Sequence, residues 1–134
     1  MPHERILVID DEEDIREVTS LTLEEAGFEV LTASSGREGI ERAIAEQPDA
    51  ILLDVMMPEM DGPATLLKLQ QTETTRAIPV LFLTAKIQPA DKRTLSSLGA
   101  VAILSKPFDP DRLGGDINHA LGWTTRHPEG VFPS

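Results

Sequence analysis

Cysteine and tyrosine are absent from this sequence, which has only one tryptophan and four phenylalanines. Without cysteine the chain forms no disulfide, and no thiolate is available for a zinc site. Long apolar runs are missing too. The opening "MPHER" is polar, and no run reaches the length of a signal-peptide core or a membrane span. These absences lead us to expect a cytoplasmic chain with no membrane insertion. Positive charge is also scarce: 12 Lys and Arg face 23 Asp and Glu, for a formal net charge of −11. Nucleic-acid binding rests on a cationic footprint, so no direct contact with nucleic acid is expected. The surplus of acid suits a cation or a basic partner surface, although most of it serves solubility. The 134 residues suffice for one domain with a sizeable core.

Five apolar runs recur, at Ile6–Ile9, Phe28–Leu31, Ala50–Leu53, Val80–Leu83 and Val101–Leu104. Segments of helical period lie between them. After the first run, Ile15, Val18, Thr22, Leu23 and Ala26 follow a 3–4 spacing that stops at Gly27. "SSGREGIERAIAEQP" opens on a capping box, Ser35 with Glu38, and ends before Pro48. A third helix continues from the "DGP" turn, and "PADKRTLSSLG" and "DPDRLGGDINHALG" supply two more. Solidly apolar strands are those buried on both faces, so the rhythm predicts a parallel α/β sheet with helices on each side. The second run, with Glu29 and Thr32, is the most mixed and belongs at an edge. That fits the flavodoxin-like (βα)5 doubly wound order 2-1-3-4-5. Residues 122–134 read as a tail after the last helix.

Ligands of such sheets bind beyond the carboxyl ends of the strands, where strand order reverses. Here the reversal lies between strands 1 and 3. Strand 1 runs into Asp10 and Asp11, and strand 3 ends at Asp54. Strand 4 ends in Thr84 and strand 5 is followed by Lys106. Each of these polar residues lies within two positions of the end of an apolar run. Clustered carboxylates repel unless a cation or proton intervenes, so neutralising Asp10 is expected to stabilise the chain. A hard dication with oxygen ligands is the natural partner, and magnesium shares such sites with phosphate. A carboxylate can attack phosphorus while a metal and Lys106 neutralise the equatorial oxygens. Glu12, Glu13 and Asp14 read instead as acids of a helix N-terminus. His3, His119 and His127 are scattered and carry no chemistry.

In order and at the usual separations, "ILVIDDEEDIRE", "ILLDVMMPEMDGPATL", "IPVLFLTA" and "GAVAILSKPF" resemble the receiver domain of two-component response regulators. The resemblance covers residues 4–121. It implies that Asp54 is the phosphoacceptor and that Asp10 and Asp11 are the magnesium-site acids, Asp11 the direct ligand and Asp10 acting through water. It further implies the main-chain carbonyl of Met56 as a metal ligand, Thr84 as the switch hydroxyl, and Lys106 as the site lysine, with Lys106–Pro107 cis. The implied donor is a sensor histidine kinase or a histidine phosphotransfer protein, and the implied output is binding to a downstream protein. After residue 121 only 13 residues remain in this sequence and no output domain is visible in them, so a stand-alone receiver, or one excised from a longer protein, is expected.

A magnesium-dependent phosphatase with an Asp nucleophile is the alternative. Such enzymes usually carry a second Asp two residues on, where this chain has Met56. A flavodoxin would want a hydroxyl- and Gly-rich phosphate loop in place of "DDEED". One departure from the receiver pattern stands out. Ile103 occupies a position where the family commonly has an aromatic, so readout is expected through the loop around Ala85–Pro89. The pair Gly114–Gly115 has no explanation in the sequence.

Overall fold

A computed structural model describes residues 4–85 and 89–123. Its strands are β1 (Arg5–Ile9), β2 (Glu29–Ala33), β3 (Ala50–Asp54), β4 (Val80–Thr84) and β5 (Ala102–Ser105). Its helices are α1 (Glu13–Glu25), α2 (Gly36–Glu46), α3 (Gly62–Gln71), α4 (Pro89–Ser96) and α5 (Leu113–Leu121). All strand pairs are parallel, in the order β2-β1-β3-β4-β5. The expected topology is met, with β2 at one edge. No described helix is long and apolar enough to cross a membrane.

Alternation along the strands divides the core in two. Leu7, Ile9, Ile51, Leu53, Val80 and Phe82 pack with Ala43 of α2, Leu66 and Leu69 of α3, and Leu95 of α4. Ile6, Val8, Leu52, Leu81 and Leu83 pack with Leu23 of α1 and with Leu113 and Ile117 of α5. Both faces are covered, which is why β1, β3 and β4 read as unbroken apolar runs. The fifth strand differs: β5 is only partly buried, because it forms the other edge, and Val101 lies just outside it. Ile103 packs against the first cluster. Of the loop given the readout role, residues 86–88 lie outside the described residues, as do residues 124–134.

Local chemistry sets the helix ends. The Ser35 hydroxyl accepts from the Glu38 N–H at 3.1 Å, as a capping box requires. The Glu38 carboxylate, however, accepts from the N–H and hydroxyl of Ser34 rather than from Ser35. Asp61 caps α3 through the Ala64 N–H at 2.9 Å. Gly27 and Gly122 follow α1 and α5 with positive φ, at 100° and 73°. Trp123 then turns back onto Phe28, with ring centroids 6.1 Å apart.

The structure supplies a reason for half of the glycine pair. A Cβ on Gly114 would stand 2.7 Å from the Ala26 Cβ, so α5 meets the end of α1 only because Gly114 has no side chain. Around Gly115 nothing lies within 4 Å. Gly114→Ala should therefore cost about 1–3 kcal/mol by overpacking. Gly115→Ala should gain about 0.5 kcal/mol by helix propensity. Urea denaturation of the two variants checks both signs.

Candidate phosphoryl and metal site

Register places the polar strand ends together. Ile9 pairs with Leu53, so Asp10 and Asp54 end their strands at the same level. Asp54 pairs with Leu83, which puts Thr84 one step beyond, beside Ser105. The Lys106 N–H then donates to the Thr84 carbonyl at 2.8 Å. The Lys106–Pro107 peptide is cis.

One carboxylate oxygen from each of Asp10, Asp11 and Asp54 lies within 4.8 Å of the others. Asp10, Asp54 and Thr84 are buried, whereas Asp11 is exposed. The Lys106 ammonium stands 3.2 Å from Asp10 Oδ2 and 3.2 Å from Asp54 Oδ1. It also lies 3.9 Å from Glu12 Oε1. Burial, and then the neighbouring Asp10 charge, push the Asp54 carboxyl up to about 6, against the pull of Lys106 and a hydrogen bond from the Met56 N–H. Burial works against the Lys106 ammonium, but Asp10 and Asp54 outweigh it and its pKa is raised.

Asp10 is not the uncompensated member of the cluster, contrary to the sequence expectation. Its Oδ1 accepts the Glu12 N–H at 2.9 Å, its Oδ2 meets Lys106, and its carbonyl accepts from Arg16 at 2.8 Å. The electrostatic frustration falls on Asp54.

The donor set suits a hard dication: three carboxylates, one of them open to solvent, and no nitrogen or sulfur ligand among the described residues of the cluster. An apolar cavity of about 470 Å³ adjoins the site, lined by Val55, Met56, Thr84, Ala85, Asp91, Thr94 and Leu95. Two residues near the site escaped the sequence reading. Glu12 reads from the sequence as a helix-start acid, yet its carboxylate lies 3.9 Å from the Lys106 ammonium. Arg16 is the only basic residue between Asp10 and Glu25, a signal that could have marked it.

Known proteins share both sequence and fold with the chain. Residues 6–118 match the response regulator receiver domain. The chain is 40% identical over 119 residues to the alkaline phosphatase synthesis transcriptional regulatory protein PhoP of Bacillus subtilis, covering 89% of this chain and 49% of that protein. It is 41% identical over 125 residues to the DNA-binding dual master transcriptional regulator RpaA of a Synechocystis species, covering 93% of this chain and 52% of that protein. Among solved structures, the Vibrio cholerae chemotaxis protein CheY4 superposes with a TM-score of 0.83 at 34% identity, over 89% of this chain and 99% of that one.

The relatives overturn one expectation. Scarce positive charge argued against direct contact with nucleic acid, but RpaA is named as DNA-binding and PhoP as a transcriptional regulator. The chain spans about half the length of these relatives. The charge argument therefore weighs only the part of such a protein that this chain matches, and it does not extend to the rest. Matched along most of its length in both sequence and fold, the chain belongs to the response regulator receiver family, the phosphorylation-dependent signalling modules of two-component systems.

Proposed function

We propose that Asp54 accepts a phosphoryl group from a phosphohistidine on a sensor histidine kinase or a histidine phosphotransfer protein. One observation carries this reading: three strand-end carboxylates converge within 4.8 Å beside an ammonium 3.2 Å from two of them. An Asp54 oxygen attacks phosphorus, the bond to the donor imidazole breaks, and the freed ring nitrogen takes up a proton. Lys106 is already poised to follow the charge from the Asp54 carboxylate onto a phosphoryl oxygen. Thr84, one residue beyond the level of Asp54, offers the switch hydroxyl.

Asp11, Asp54 and the Met56 carbonyl would hold magnesium, with Asp10 acting through water. The metal would neutralise charge on the transferring group. A phosphatase reading is less well supported, because Met56 stands where the second acid is wanted and the relatives are regulators. The expected output is a changed surface for a downstream protein in the cytoplasm.

Calorimetric titration with magnesium, alone and with a phosphoryl mimic, tests the site. Weak binding should tighten when the mimic is added, since a few protein ligands then share the ion with phosphoryl oxygens. Asp11→Ala should lose at least about tenfold in affinity, the scale expected of losing a ligand or its close support. Parent-like binding by Asp11→Ala would remove Asp11 from the metal set.

A further inference from the structure

The mouth of the site carries a carboxylate that the chemistry above does not use. Glu12 Oε1 lies 3.9 Å from the Lys106 ammonium, and its side chain is 64% exposed while that of Asp10 is 2% exposed. It sits on the approach to the site, not in its floor. It is the N-cap residue of α1, yet its side chain makes no capping hydrogen bond. Its carboxylate is thus not held by the helix backbone. Three carboxylates, Asp10, Glu12 and Asp54, lie within 3.9 Å of one ammonium, and a fourth, Asp11, clusters with Asp10 and Asp54. Even with a dication bound, the mouth remains negative by one charge, and Glu12 is the exposed acid that meets the ammonium there.

We propose that Glu12 is a specificity-determining residue that selects phosphodonors by charge, disfavouring small dianionic donors against those of lower charge. The proposal rests on Asp54 being the acceptor. A donor with two negative charges feels the Glu12 carboxylate about twice as strongly as one with a single charge. Removing that carboxylate therefore helps the dianion more. Glu12 also offsets the Lys106 charge at 3.9 Å, and that attraction too is stronger for the dianion, so both routes shift the ratio of rates in the same direction.

Acetyl phosphate and phosphoramidate supply the two arms. Near neutral pH the first is largely dianionic and the second monoanionic. With acetyl phosphate, an Asp54 oxygen bonds to phosphorus and acetate leaves with the electrons of the broken P–O bond. With phosphoramidate, the P–N bond breaks and ammonia leaves, carrying the proton already on nitrogen.

Phosphorylation rates of the parent, Glu12→Gln and Glu13→Gln are compared with saturating magnesium at low ionic strength, by intact mass. Glu12→Gln should speed labelling by acetyl phosphate about five- to tenfold and labelling by phosphoramidate by less than about threefold. The difference should shrink as salt is raised, because the charge is exposed. Glu13, which makes no ion pair with Lys106 among those described, should leave the ratio unchanged. Equal acceleration of both donors, or the same change with Glu13→Gln, would overturn the role of Glu12. If neither donor labels the parent at Asp54, the reading of the site falls and this proposal with it.

Discussion

Asp54→Asn should be more stable than the parent by about 2 kcal/mol near pH 7.5, although it removes the central residue of the site. The Asp54 carboxyl is held at about 6 against an ordinary 3.8, first by burial and then by Asp10. Between those two values the folded chain binds more protons than the unfolded chain. Stability therefore falls as pH rises through this window, and the full penalty is present above it. Asn carries no charge and feels none of this. The gain of Asp54→Asn should vanish as pH is lowered from about 7 to about 4, which urea midpoints at several pH values will show. Magnesium should narrow the gap by stabilising the parent alone. A constant difference across that range would mean that Asp54 is not the frustrated group.

Lys106→Met should have the opposite effect, a loss of about 3 kcal/mol near neutral pH. The ammonium is the partner of two buried carboxylates at 3.2 Å, and its removal leaves them facing each other. The raised pKa of Lys106 means that its contribution is complete throughout the neutral range. It is lost only as pH climbs past the elevated lysine value. The deficit of Lys106→Met should therefore fade at strongly alkaline pH. It should also fade below about pH 6, where Asp54 takes up a proton instead. Millimolar magnesium should restore part of the loss by replacing one cation with another. A variant as stable as the parent at every pH would show that the ion pairs contribute nothing.

Most of the site was legible because it is written at strand ends. Each of Asp10, Asp54, Thr84 and Lys106 follows an apolar run, and parallel strands in register bring such positions to one edge. The fold was legible for the same reason: strands buried on both faces leave an unbroken apolar signature. What could not be read depends on which groups meet across the fold. The pairing of Asp10 with Lys106 joins residues 96 positions apart, and it moved the frustrated charge from Asp10 to Asp54. Glu12 looked like any acid at a helix start until the end of β5 placed an ammonium beside it. Gly114 is not explained by its neighbours in sequence because its reason, Ala26, lies at the end of a different helix. The nucleic-acid expectation failed on scope, since composition weighs only the residues given.

The phosphoacceptor role of Asp54 is open to direct measurement. The chain is incubated with acetyl phosphate and magnesium, its intact mass is measured, and the modified residue is located by peptide mapping. One added phosphoryl group is expected, carried on Asp54, absent from Asp54→Asn and suppressed when magnesium is chelated. Labelling that persists in Asp54→Asn, or that maps to another residue in the parent, would contradict it.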